Sequence, residues 1–253
     1  MEFSELESKR FGLQVYRGIL SDLDDNVVEK TANFIENNLV DVLILRVPAD
    51  FQFQIYKLQN LGYPVIFADT LVYYIADLSQ EIEKGLKNND LSFEPCVDSD
   101  KDLIGDLVEE IFQNYTNHYF SNPLLPKKDI LEGYKEWAKN FIQDDETNKK
   151  AWLIKKDNQC AGFVTCSIEN DTGEVVLGGV KTFAKRGGIY SDLIRFSKNY
   201  FIKKNIKKVK VSTQVQNYAV QKVWSREGFY LNNAYVTLHL NIASGRGLKS
   251  ESI

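Results

Sequence analysis

Val180-Lys181-Thr182-Phe183-Ala184-Lys185-Arg186-Gly187-Gly188-Ile189-Tyr190 is the stretch from which the rest of the chain becomes readable. A mostly apolar run from Glu174 to Lys181 ends there, two glycines follow, and the helix-periodic segment from Ile189 to Lys203 begins. The reading is strand, turn, helix. Glycine lets consecutive backbone N–H groups converge on one concavity, and a helix start adds N–H groups of its own. Lys185 and Arg186 put positive side chains on the same turn, beside the positive end of the helix dipole. Such a turn suits a pyrophosphate held without a metal, but by itself it is also an ordinary strand-to-helix connection.

Working outward, Ser92 to Val97 reads as a short strand, and Asp98-Ser99-Asp100 offers caps to a helix with Leu103, Ile104, Leu107, Val108, Ile111, Phe112 and Tyr115 on one face. A second helix follows Pro126, with Tyr134 and Trp137 among its apolar positions. Three strands come next, Ala151 to Lys155, Cys160 to Ile168 and Glu174 to Lys181, joined by Asp157-Asn158-Gln159 and Asn170-Asp171-Thr172-Gly173. Beyond the glycine turn and its helix, Lys207 to Thr213 reads as a strand, Asn217 to Arg226 as a helix, and Phe229 to Asn241 as one or two closing strands. This order predicts an α+β fold around a mixed central sheet, with one parallel neighbour reached through the helix after the glycine turn.

The first ninety residues repeat part of the pattern: a strand Asp41 to Val47, a helix Phe51 to Leu61, and a pair of strands between Pro64 and Leu78. Aligning Gly62-Tyr63 with Gly228-Phe229 sets Ala68 opposite Ala234, which is either a degenerate half-copy of the later domain or a chance match. The polar run Gly85 to Asp90 reads as a linker. The division is a smaller N-terminal α/β domain (1–90), a main domain (91–242) and a loose Gly/Ser/Lys-rich tail (243–253).

Composition excludes several classes. Of 253 residues, 43% are hydrophobic and 12% aromatic, enough for a packed core, and a net charge of −4 argues against a partner held through nucleic-acid phosphates. Cys96, Cys160 and Cys166 form no C-x-x-C pair and read as small buried thiols. His118 and His239 lack partners at metal-ligand spacing, so no metal is expected. The G-x-S-x-G, Walker and H-E-x-x-H patterns are all missing. An acidic start without an apolar stretch, and no run near the ~20 residues of a membrane span, give a cytoplasmic chain without membrane attachment as the expectation.

Downstream of the turn, Asn217-Tyr218-Ala219-Val220-Gln221-Lys222-Val223-Trp224-Ser225-Arg226-Glu227-Gly228-Phe229 follows a strand and closes on a helix-ending glycine. The two segments together resemble the signature of the Gcn5-related N-acetyltransferase (GNAT) superfamily, Q/R-x-x-G-x-G/A followed by N-x-x-A-x-x-x-Y-x-x-x-G-F. Lys185 and Tyr190 take the outer positions of the turn, Gly188 the inner glycine, and Asn217 and Gly228-Phe229 keep the spacing, while Ala219 lies one residue early. Asp41 to Pro48, Asp69 to Tyr74, Tyr134-x-x-Trp137 and Thr213 to Asn217 are further similar to the dTDP-fucosamine N-acetyltransferases, which acylate dTDP-linked amino-deoxysugars.

What the resemblance implies is attack of a neutral amine on the thioester of an acyl-CoA, acetyl or a short hydroxyacyl, with a nucleotide amino sugar as acceptor. The cofactor would lie along Leu177, Gly178 and Val180, on the turn Lys185, Arg186, Gly187, Gly188, Ile189 and Tyr190, and against Asn217. A backbone N–H at Leu177 to Gly178 would polarise the thioester carbonyl. Trp224 stands where the family carries its acidic tyrosine, and an indole N–H is no usable acid. Glu174, acting through water, and His118, on the acceptor side, are the candidate bases. Another amine as acceptor, a chain that binds CoA without chemistry, and a homodimer all stay open.

Overall fold

The computed structural model describes residues 1–21, 23–24, 26–143, 148–185 and 187–243. The tail expected over 243–253 lies, apart from its first residue, outside them. In chain order the elements are β1 (Glu2–Phe3), α1 (Glu5–Phe11), β2 (Val15–Ile19), α2 (Val27–Asn37), β3 (Val42–Pro48), α3 (Tyr56–Gln59) and β4 (Val65–Asp77). Then follow β5 (Leu91–Pro95), α4 (Lys101–Phe112), α5 (Lys127–Lys139), β6 (Lys149–Lys156), β7 (Gln159–Glu169), β8 (Thr172–Val180), α6 (Ile189–Lys203), β9 (Lys208–Gln214), α7 (Tyr218–Arg226) and β10 (Tyr230–Asn241). The class is α+β, and α6 has the bounds that its periodicity predicts.

The chain divides into two compact units, which do not follow the sequence boundary at residue 90. The first is Met1–Val72 with Thr116–Ile130 and the chain from Asn233 onward; the second is Tyr73–Tyr115 with Leu131–Asn232. The cause is β10, whose residues Tyr235 to Asn241 pair antiparallel with Pro48 to Val42 of β3 and so draw the end of the chain into the first unit. Two local expectations also change. Pro64 to Leu78 forms one 13-residue strand, β4, rather than a pair, and Phe51 to Leu61 forms a 3-10 turn (Ala49–Gln54) followed by the four-residue α3.

In the first unit the strands run in the order β1-β2-β3-β10-β4, with β2 and β3 parallel. Side chains alternate across a strand. Leu43, Leu45, Val47, Val236, Leu238 and Leu240 therefore form one apolar face against Val27, Ile35 and Leu58. Val15, Val42 and Ile44 point the other way, against Tyr119 and Leu124.

In the second unit the order is β4-β9-β8-β7-β6-β5. The β6–β7 turn holds Asp157 and Asn158 at φ 49° and 62°, the left-handed pair that a two-residue hairpin needs. Ala151, Leu153, Phe163 and Leu177 pack on α4 and α5, while Trp152, Ile154, Val164 and Cys166 face Leu193, Ile194 and Phe201 of α6. Burying side chains of this size contributes about 1.5–3 kcal/mol each. This two-sided core fixes β8 and β9, between which the candidate site lies.

Candidate functional site

β8 and β9 are parallel neighbours only from Thr172↔Lys208 to Val175↔Val211. β8 runs on to Val180 and β9 to Gln214 without further pairing between them. The parting begins at an irregularity. Thr165 pairs with Leu177 and Cys166 with Val175, so Val176 is an extra residue on β8. A bulge of this kind bends its strand and increases the twist. Thr165 Oγ1 fills the gap in the ladder, accepting the Leu177 N–H at 3.0 Å and donating to the Leu177 carbonyl at 3.1 Å.

That bond settles which backbone groups face the opening. Leu177 N–H points to β7, and so does Lys181 N–H, which donates to Ala161 O at 2.8 Å. Amide directions alternate along a strand, so the N–H groups of Gly178 and Val180 face the open edge. Leu177 N–H itself is occupied, and of the two positions named as a donor to a thioester oxygen only Gly178 is turned that way.

The turn lies at the end of β8. Lys185 is exposed, Arg186 lies outside the described residues, and Gly187 and Gly188 are exposed. Gly188 has φ 79°, a left-handed conformation that a side chain would strain, and its carbonyl accepts the N–H groups of Ser191 and Asp192 at 2.9 and 3.1 Å. Ile189 is buried and anchors the helix start. Burial pushes the Tyr190 hydroxyl well above the ordinary phenol range, a nearby Trp224 opposing, so Tyr190 stays protonated.

At the end of β9, Asn217 does not cap α7 with its side chain; its Nδ2 donates instead to Thr213 Oγ1 at 3.0 Å. Its Oδ1 has no protein partner among the described residues. Tyr115 reaches the same place: its hydroxyl lies 3.3 Å from Thr213 Oγ1 and donates to Gln214 Oε1. Sequence reasoning read Tyr115 as part of the α4 stripe, but α4 stops at Phe112 and the phenol leaves the helix.

An acyl-CoA fits this donor set. The two outward N–H groups of β8 and the Asn217 carbonyl are donors and an acceptor of the kind that the amides of a pantetheine arm take. Among the described residues no group of three or more His, Cys, Asp or Glu could hold a metal, and no helix is long and apolar enough to cross a membrane.

The residues named for catalysis are placed as follows. Trp224 is 3% exposed, its ring 5.6 Å from that of Tyr74, and its buried Nε1–H has the Tyr190 hydroxyl as its neighbour. Glu174 is paired with Lys210 at 3.0 Å, across the closed end of the β8–β9 pair. His118 falls in the first unit, buried. There His118 Nδ1 lies 2.8 Å from His239 Nε2, and His239 Nδ1 lies 3.0 Å from Asn122 Nδ2. Leu124 N–H donates to Asn122 Oδ1, which leaves the Asn122 amide as donor to His239 Nδ1. His239 must then donate from Nε2 to His118 Nδ1, so His118 carries its proton on Nε2. Burial drives both rings below the ordinary histidine range, His239 to about 3, so both are neutral.

Residues 108–229, just under half of the chain, match the model of the Acetyltransferase (GNAT) family. No curated protein matches the chain. Among solved structures it is similar to a GCN5-related N-acetyltransferase from Sphaerobacter thermophilus, with 13% identity and a TM-score of 0.58 over 85% of this chain. It spans 66% of that chain, just under two thirds. A functionally unknown conserved protein from Staphylococcus epidermidis gives a TM-score of 0.62 at 13% identity, over 88% of this chain and 83% of that one. A GCN5-related N-acetyltransferase from Kribbella flavida gives 0.55 at 10% identity, over 83% and 72%. The fold is of the GNAT type, and residues 108–229 are the part that the family model matches.

Proposed function

We propose that this chain transfers an acetyl or short hydroxyacyl group from acyl-CoA to the amino group of a dTDP-linked amino-deoxysugar. The observation that carries the transfer is the parting of β8 from β9 after Val175, with the Gly178 and Val180 N–H groups on the open edge between the Lys185 turn and Asn217. The acceptor rests on the sequence similarities at 41–48, 69–74, 134–137 and 213–217.

The bound acyl-CoA supplies an activated carbonyl with a thiolate leaving group. Val180 N–H would orient the pantetheine arm, Asn217 Oδ1 would accept one of its amide protons, and Gly178 N–H would be the backbone donor for the carbonyl oxygen. Trp224 contributes shape rather than acid. A thiol with a pKa near that of cysteine, about 8.5, leaves as the thiolate when the C–S bond breaks, and the proton that the amine loses as the C–N bond forms passes to solvent, so the missing phenol is tolerable.

The buried indole at Trp224 and the ion-paired Glu174 favour a second reading, binding of CoA without chemistry. One assay separates these readings. Free thiol released from acetyl-CoA on adding a dTDP-amino sugar supports the first. Release only with a polyamine, peptide amine or aminoglycoside moves the acceptor class, and calorimetric binding without release from any amine leaves the second.

A further inference from the structure

Residues 81–88, which overlap the linker expected over Gly85 to Asp90, lie along α6. Going back from the C-terminal end of the helix, Lys203 pairs with Glu83 at 3.2 Å, and Asn199 exchanges two hydrogen bonds with the Lys84 backbone at 3.0 and 2.8 Å. Lys198 pairs with Glu81 at 2.6 Å, and Arg195 Nη1 donates to Gly85 O at 2.9 Å. At the helix start, Asp192 accepts Lys87 N–H at 2.6 Å, Asn88 N–H at 3.0 Å and Asn88 Nδ2 at 2.7 Å. Asn88 Nδ2 also donates to Gly187 O at 2.9 Å.

The charges at this end matter. Asp192 is fully buried in the first turn of α6 and Glu227 is 3% exposed beside it. Two carboxylates behind an anion-binding turn would oppose a pyrophosphate. Glu227 receives Arg195 Nε at 2.9 Å, Lys87 Nζ at 3.3 Å and the Ser191 hydroxyl. Burial pushes its carboxyl up, but the bonds from Ser191 and Arg195 and the charge of Arg195 outweigh that, so it stays ionised and compensated. Asp192 accepts three hydrogen bonds from Lys87 and Asn88. A trans peptide carries its N–H opposite its C=O, so Asn88, by holding Gly187 O, turns the Gly188 N–H away from the strap.

We infer that Lys87 and Asn88 are positioning residues of the cofactor turn: Asn88 holds Gly187 and Gly188 in the binding conformation, Lys87 Nζ offsets the charge of Glu227, and the N–H groups of both residues satisfy Asp192 behind the turn. This rests on the acyl-CoA reading above, and two measurements separate the two. In calorimetry with free coenzyme A, Asn88→Ala and Lys87→Met each bind about five- to tenfold more weakly than the parent, as expected for one or two lost hydrogen bonds. Lys87→Arg keeps most of the affinity, and Glu83→Ala, at the far end, keeps all of it. With acetyl-CoA, Asn88→Ala raises KM and leaves kcat in place. In hydrogen exchange without ligand, Asn88→Ala speeds the amides of 187–192 and Glu83→Ala does not. Parent-like coenzyme A binding by Asn88→Ala, or unchanged exchange there, overturns the inference. A parent chain that ignores coenzyme A sinks the acyl-CoA reading, and exchange still decides for or against the strap.

Discussion

Thr165 serves Leu177 in place of a strand neighbour, its single hydroxyl oxygen meeting both the N–H and the carbonyl of that residue at 3.0 and 3.1 Å. Thr165 is fully buried, so no water can substitute. Thr165→Val keeps the shape and removes both bonds. Buried backbone groups left unsatisfied cost about 1–3 kcal/mol each. The variant should lose roughly 2–4 kcal/mol in urea unfolding, with Thr165→Ser within about 1 kcal/mol of the parent. A Thr165→Val chain of parental stability would show that the bulge is held by other contacts.

Asn217 is held by Thr213, so the two should act together on the donor. Asn217→Ala and Thr213→Val are each expected to raise the KM for acetyl-CoA about fivefold with kcat in place, the pattern of lost uniform binding worth about 1 kcal/mol. A fall in kcat at unchanged KM would move Asn217 from holding the arm to the chemical step.

For Trp224, packing against Tyr74 is the visible role. Trp224→Phe should cost about 1–2 kcal/mol of stability through the smaller ring. Its turnover with saturating acyl-CoA and acceptor should stay within about twofold of the parent. A hundredfold loss, the low end of general acid help, would give the indole N–H a chemical part.

The His118–His239 pair sets a pH dependence. Both rings are neutral in the fold because burial disfavours their charged forms, with nearby Arg17 adding to the effect. In the unfolded chain each takes up a proton near pH 6.5. Below that pH the unfolded state binds more protons, so stability rises with pH, is full above about 6.5, and falls as the pH drops toward 3. The slope is about 1.4 kcal/mol per unit for each ring. Urea unfolding at about pH 7.5, 6.5 and 5.5 reads it. A flat profile, or an equally steep one in His239→Asn, would contradict the assignment.

The sequence made α6, β6 to β9 and the Asn217 helix legible because each has one dominant period and clear turn residues. β4 was harder. Ala68-Asp69-Thr70 breaks its apolar run and imitates a turn, while the strand carries on. Tyr115 continued the α4 period by coincidence, and only the helix end at Phe112 reveals its hydroxyl. The polar residues Asp192, Arg195, Asn199 and Lys203 look like a solvated helix face, and Gly85 to Asp90 looks like a solvated linker. Asp192 and Arg195 meet that run, and Asn199 and Lys203 meet Lys84 and Glu83 just before it. The contact of His118 with His239 spans 121 positions, a separation at which local patterns carry no information.

The pairing of β3 with β10 has a consequence for how the chain is made. One edge of Val42–Pro48 is matched by residues 235–241, which leave the ribosome nearly two hundred residues later. Throughout that interval the nascent chain carries a strand of Val, Leu and Ile with an unpaired edge, the kind of surface that sticks to other chains. Truncation shortly before Tyr235 should therefore yield an insoluble polypeptide rather than a well-behaved second unit with a ragged end.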